Sequence, residues 1–150
     1  MSYSFGHLAL FVDDLRQAEA FYRQTFGLEV MFREAIDEDG VWGTLPTGQG
    51  WDSADEAAIE IGMVALGRDR LVLPIFAGRP SKGTILEIGV STSPEEIEAI
   101  RSRLPAEAVV QSHEHHDLIF EDPFGFTWHI NGTDDGFLSN GEIAGHWLNL

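Results

Sequence analysis

The chain contains no cysteine, so thiolate nucleophiles, disulfides and cysteine-based metal sites are excluded, and histidines and carboxylates are left as the side chains best suited to chemistry. Three of them stand singly in strand-like sequence. His7 alternates with Ala9 and Phe11 on one face of its strand, opposite Leu8 and Leu10. His129 shares its face with Thr127 and Asn131, a polar strip that suits a pocket wall better than a core. Glu87 lies in the otherwise apolar stretch 84–90, where a buried carboxylate needs an arginine partner, a solvated cup or a metal. Each leaves two readings open, because an inward histidine is either hydrogen-bonded or metal-bound. The densest group by sequence is His113-Glu114-His115-His116. Alternation puts His113 and His115 on one face, adequate for a surface metal but without a third partner, and the position beside a strand end reads as a loop or pocket rim. No nucleophile motif, P-loop or dinucleotide fingerprint is present.

The elements that must position these residues follow from periodicity. Residues 5–12 alternate as a strand and run into a helical pattern over 14–26, with Leu15, Ala18, Phe21 and Tyr22 on one face, Asp13 or Asp14 as cap and Gly27 as stop. Residues 84–90 and 94–104 repeat that order, with Ser93 as cap and Pro94 at the first helical position. One strand-helix unit is thus used twice. Strands are expected at 28–32, at 58–66 and 70–76 as a hairpin, and at 108–112, 118–121 and 126–131, with Asp122-Pro123-Phe124-Gly125 as a tight turn. Ser53-Ala54-Asp55-Glu56 fits a capping box, but Gly62 and the following glycine turn favour the hairpin over a helix. Residues 36–56 form the least regular segment and carry Trp42 and Trp51, which either pack on the core or a partner subunit or act as a lid. The stretch 77–83 reads as a linker, and the tail 132–150, with Phe137 and Trp147, is apolar enough to dock on the body or on a second subunit.

The 150 residues suffice for one domain, here a first module at about 5–77, a second at about 83–131 and the tail. Twenty-five acidic against nine basic residues give a net charge of −16, spread over both halves. Phosphate-bearing partners would be repelled, so neither nucleic acid nor an anionic membrane is expected. No apolar run approaches a membrane span and no signal peptide precedes the first strand, so the expectation is a cytoplasmic protein.

Two motifs, Gly6-His7-Leu8-Ala9-Leu10-Phe11-Val12-Asp13-Asp14-Leu15 with Phe21-Tyr22 and Phe26-Gly27-Leu28-Glu29-Val30, and Phe120-Glu121-Asp122-Pro123-Phe124-Gly125-Phe126-Thr127-Trp128-His129-Ile130, resemble the vicinal oxygen chelate superfamily, which comprises glyoxalases, bleomycin-resistance proteins and dioxygenases. The resemblance covers about residues 5–131. It implies an α+β fold of two βαβββ modules, each curling a mostly antiparallel sheet around a cup, and commonly a homodimer. In metal-using members four side chains, from the first and last strands of each module, bind a divalent ion. His7 matches the first position, and His129 the last, where those enzymes usually carry glutamate. At the other two positions this chain has Ile85 and the apolar stretch Leu71-Val72-Leu73-Pro74. Glu87, on the face of Ile85 about 7 Å further along, is a substitute; His7, Glu87 and His129 would then form a two-histidine, one-carboxylate set for iron, manganese, zinc or nickel.

Two functions are expected from these residues. The first is metal-free sequestration of a small cationic or aromatic molecule in a dimeric cup, resembling bleomycin-resistance members. The second is a divalent-metal-dependent lyase, isomerase or dioxygenase using His7, Glu87 and His129. Alternation predicts a pocket lined by His7, Ala9, Phe11, Ile85, Glu87, Thr127 and His129, with Trp42 or Trp51 at its mouth.

Overall fold

The computed structural model describes residues 7–37, 40–80, 85, 87–114, 117–132, 138–139 and 142–143. The chain divides into two compact units, Met1–Ser81 and Lys82–Leu150, each an α+β module.

The first unit contains β1 (Leu10–Val12), α1 (Leu15–Phe26), β2 (Glu29–Ile36), β3 (Trp42–Thr44), α2 (Trp51–Glu56), β4 (Ile61–Arg68) and β5 (Leu71–Ala77). Helix α1 forms where the sequence signals it. The Asp14 carboxylate accepts from the Gln17 N–H at 2.9 Å, and Gly27 takes φ +65° at the end, satisfying groups the helix cannot pair itself. Its face of Leu15, Ala18, Phe21, Tyr22 and Phe26 is buried and packs on β4 and β5. Leu10, Val12, Val64, Leu66, Leu73 and Ile75 meet it from the sheet, all buried, each contributing about 1.5–3 kcal/mol. Strand order is β1-β5-β4-β2-β3, with β1 parallel to β5 and the other pairs antiparallel.

The second unit contains β6 (Ile88–Thr92), α3 (Pro94–Arg103), β7 (Val109–Glu114), β8 (Asp117–Glu121) and β9 (Thr127–Gly132), followed by a small pair, β10 (Leu138–Ser139) and β11 (Glu142–Ile143). Its sheet runs β6-β9-β8-β7, with β6 parallel to β9 and the rest antiparallel. Leu118, Phe120, Trp128 and Ile130 are buried with Ile97 and Ile100 of α3. Matching β1, α1, β2, β4 and β5 to β6, α3, β7, β8 and β9 superposes the two orders. Among the described residues the first unit adds β3 and α2, inserted between its second and third shared strands, and the second adds the β10–β11 pair.

Several boundaries depart from expectation. Among the described residues the first strand begins at Leu10, because of residues 7–9 only Leu8 is tied to β5, by one long backbone bond from its N–H to Val72 C=O at 3.4 Å; residues 5 and 6 of the expected strand lie outside the described residues. The strand expected at 28–32 continues to Ile36 because it is paired on both sides, by β4 and β3. The sequence at 51–56 is helical, with the hairpin following it; Ala58, at φ +54°, turns the chain between them. The second module's first strand is Ile88–Thr92 instead of 84–90, where its parallel partner β9 is available, so Ile85 lies outside the sheet.

Candidate functional site

The second unit's open face is set by one buried residue in the turn before β9. Asp122 is 2% exposed; its Oδ1 accepts from the backbone N–H groups of Phe124 and Phe126 at 2.9 and 3.0 Å, and its Oδ2 from Trp128 Nε1 at 2.9 Å. Gly125 closes the turn at φ +86°, a conformation glycine adopts without penalty. With Trp128 held inward, strand alternation sends Thr127, His129 and Asn131 to the opposite face. A slip of one residue would bury His129.

On that face His129 sits between two carboxylates. Its Nε2 lies 2.5 Å from Asp117 Oδ1 and its Nδ1 3.4 Å from Glu87 Oε1. The three side chains are about one-quarter to one-third exposed. Partial burial opposes the charged imidazolium, but the hydrogen bonds and charges of Asp117 and Glu87 outweigh it and hold the histidine above its ordinary range. An imidazole bonded to carboxylates through both nitrogens donates from both. Glu87 Oε2 and Asp117 Oδ2 have no hydrogen-bond partner among the described residues, and both can accept from a ligand. Nearby, the Ser91 hydroxyl donates to Asn131 Oδ1 at 3.0 Å.

The matching face of the first unit is aromatic. Phe11 and Phe76 have ring centroids 6.0 Å apart, and Trp42 meets Phe76 edge-on at 6.0 Å. A β-bulge beside Gly62 lets Trp42 lie close, so that a Cβ at that glycine would stand 3.0 Å from the indole. His7, exposed, belongs to this unit, ahead of β1. With Val12 set against Val90, the parallel ladders Val12–Ala77 and Val90–Ile130 put Phe76 where the second unit has His129. The expected stretch at 71–74 is therefore moved along β5, and the face it offers, Val72, Pro74 and Phe76, still holds no metal donor.

Glu87 and His129 are thus brought together, with Thr127 beside His129 on the same face of β9, while Phe11 and Trp42 share the first unit's face. Trp51 belongs to neither group. Its Nε1 donates to Glu19 at 2.8 Å, on the side of the sheet where α1 packs. His113 lies on β7 rather than in a loop and pairs with Glu98 of α3 at 2.8 Å, which holds the Glu98 carboxyl below its ordinary range. His115 and His116, with Phe137 and Trp147 of the tail, lie outside the described residues. Asp117 is not singled out by the sequence; the β8–β9 ladder, in register with the Asp122 N–H to Phe126 C=O bond, places it opposite Asn131 and diagonal to His129.

The metal reading meets a geometric objection inside the second unit. Glu87 and Asp117 bind opposite edges of the His129 ring, so the three cannot converge on one ion, and a ligating histidine must present a lone pair rather than two N–H groups. Among the described residues no group of three histidines or carboxylates is arranged to hold a metal.

The model of the Glyoxalase/Bleomycin resistance protein/Dioxygenase superfamily matches residues 4–81, just over half of the chain, and the chain belongs to that superfamily. Among solved structures, fosfomycin resistance protein FosX from Listeria monocytogenes is similar at 17% identity over 88% of this chain and 93% of that one, with a TM-score of 0.60. FosX from Mesorhizobium loti is similar at 11% identity over 87% and 92%, TM-score 0.61, and a protein described as a possible glyoxalase from Bacillus cereus at 20% identity over 87% and 99%, TM-score 0.56. At these identities the likeness is one of fold. One Listeria FosX structure is a complex with Mn(II) and sulfate. No curated protein matches the chain. Among the described residues no helix is long and apolar enough to cross a membrane.

Proposed function

We propose that this chain binds a small organic cation, without a metal, on the open face of its second unit. The observation that supports this best is the clamp of His129 between Glu87 and Asp117. With the imidazole protonated the three carry a net charge of −1, and each carboxylate keeps one oxygen able to accept from an ammonium, amidinium or guanidinium. Thr127 adds a hydroxyl beside them. The net charge of −16 raises the local concentration of such a ligand.

The test compares benzamidine with benzamide, a neutral molecule of similar shape, by calorimetric titration. Benzamidine is expected to bind, benzamide much more weakly, and Glu87→Gln to weaken benzamidine about tenfold, the scale of one charge-assisted hydrogen bond. Equal losses for both probes would mean that the acidity of this face serves solubility alone.

The alternative, a metal-dependent lyase, isomerase or dioxygenase using His7, Glu87 and His129, is favoured by the position of His7 ahead of β1 and by the Mn(II) held in FosX. Metal analysis of untagged protein purified without chelator separates the two. Substoichiometric metal indifferent to His7→Ala is expected; one tightly bound equivalent lost in both His7→Ala and His129→Ala overturns the metal-free reading.

A further inference from the structure

A second, unrelated concentration of charge lies on the opposite side of the first unit's sheet. Three of the chain's nine basic residues, Arg16, Arg23 and Arg33, gather around one buried carboxylate and one indole. Glu19 is 3% exposed, and its oxygens are saturated. Arg33 grips both of them, Nε to Oε2 at 2.9 Å and Nη2 to Oε1 at 2.5 Å, and Trp51 Nε1 donates to Oε2 at 2.8 Å. That fork-to-fork pair already neutralises Glu19. Arg23, which shares Oε1 at 3.2 Å with its side chain half exposed, is therefore a positive charge left over.

Arg16 stands two turns earlier on α1, about 10 Å along the helix, with its guanidinium 5.0 Å from the centre of the Trp51 ring. Its partners are Asp55 at 2.7 Å and Asp52 at 4.0 Å, exposed pairs of the kind that contribute little to stability and yield readily to a competing carboxylate. Between the two arginines the helix presents Ala20 and the neutralised Glu19, and the facing segment supplies Gly48, Gly50, Trp51, Asp52 and Ser53. The result is a groove of about 520 Å³, within the size range of small-ligand sites. Its floor is a methyl group, one wall is an indole fixed by its hydrogen bond to Glu19, and its rims carry the Arg16 and Arg23 guanidinium groups, with the exposed Asp52 carboxylate on the Arg16 side. In a chain of net charge −16, an arginine-rimmed groove is selective chemistry rather than general surface.

We infer that this groove is a binding site for a small aromatic carboxylate, its ring on Ala20 beside Trp51 and its carboxylate paired with Arg23. Arginine suits that role because its planar fork matches a carboxylate in two parallel hydrogen bonds. The site lies on the helix-bearing side of the first unit and does not depend on the cation-binding proposal above.

The experiment titrates benzoate, and separately benzamide, into the full-length chain while following the indole N–H resonance of Trp51, assigned by its disappearance in Trp51→Phe. Benzoate is expected to shift that resonance saturably, and benzamide not to shift it over the same concentrations. Arg23→Gln should weaken benzoate about tenfold or more while Arg33 and Trp51 still hold Glu19, and Ala20→Phe, a change on an exposed helix face, should abolish the shift by filling the groove. A saturable shift that benzamide reproduces, that Arg23→Gln leaves unchanged, or that never appears overturns the site. If Ala20→Phe loses the dispersion of a folded spectrum, Arg23→Gln alone decides.

Discussion

The two units share strand order and parallel pairing between their first and last strands, yet their open faces have opposite chemistry. The first offers Phe11, Phe76 and Trp42; the second offers Glu87, Asp117 and His129, with His129 at the position of Phe76. Topology therefore fixes where side chains can project and leaves what they do to the outward positions alone. The inner faces obey the opposite rule. Both are closely packed and apolar, each secured by one buried carboxylate: Glu19 held by Arg33 in the first unit, Asp122 held by backbone N–H groups and Trp128 in the second.

The largest effects are expected at those two anchors. Asp122→Ala removes the acceptor from three buried donors, each costing about 1–3 kcal/mol when left unpaired, so a loss of at least about 3 kcal/mol is expected in urea unfolding. Glu19→Ala leaves Arg33, whose side chain is only 13% exposed, without its partner, and breaking a buried pair typically costs about 3–5 kcal/mol. The comparison sharpens if amide exchange shows each loss confined to its own unit. It breaks if Asp122→Ala costs less than about 1 kcal/mol, because the turn would then not be what sets the parity of β9.

Much of this arrangement was legible in the sequence. Helices α1 and α3, their caps and the repeat they head were readable because caps and 3.6-residue periodicity are local signals. The superfamily was readable from the same segments joined to the turn after Glu121. Glu87 and His129 were readable as single strand residues, but their common partner Asp117 was not, since it becomes a neighbour only through cross-strand pairing. Glu19 was hidden for a different reason: it occupies an inward position of α1, between Leu15 and Tyr22, and its burial depends on Arg33 and Trp51, 14 and 32 residues away. The sequence leaves Trp51 to pack on the core or a partner subunit or to act as a lid; the hydrogen bond of its indole to Glu19 is signalled by no local pattern.

An effect of intermediate size is expected from pH. His129 is held above its ordinary value, so its contribution to stability is fully present below the unfolded-state value, near 6.5 for histidine, and is lost as pH rises through the folded value. Wild type should therefore exceed His129→Gln in stability at about pH 6, and the gap should narrow toward about pH 8. Denaturant titrations of both proteins across that range measure it, and titrations common to both cancel in the difference. A gap that is constant or widens with pH would mean that Glu87 and Asp117 do not hold the protonated ring. The first unit has no counterpart, and Phe76→Leu should leave the pH dependence unchanged.

The smallest expected effect separates the two faces by a single methyl group. Gly62 and Gly89 lie in β4 and β6, and neither has a backbone angle that demands glycine, so conformational entropy alone would make alanine mildly favourable at both, by about 0.4–1 kcal/mol. Their surroundings differ. A Cβ at Gly62 would stand 3.0 and 3.2 Å from two ring carbons of Trp42, whereas a Cβ at Gly89, paired across the ladder with His129, would meet nothing within 4 Å. Gly89→Ala is therefore expected to be neutral or slightly stabilising. Gly62→Ala must push the indole off Phe76, and overpacking of this kind costs about 1–3 kcal/mol where the neighbour cannot yield. Because Trp42 is 44% exposed it can give way in part, which places the cost at the lower end, about 1 kcal/mol, with a change in tryptophan fluorescence absent from Gly89→Ala. Equal stabilities for the two variants, with unchanged fluorescence, would show that the aromatic cluster of the first unit is as loosely held as the open polar face of the second.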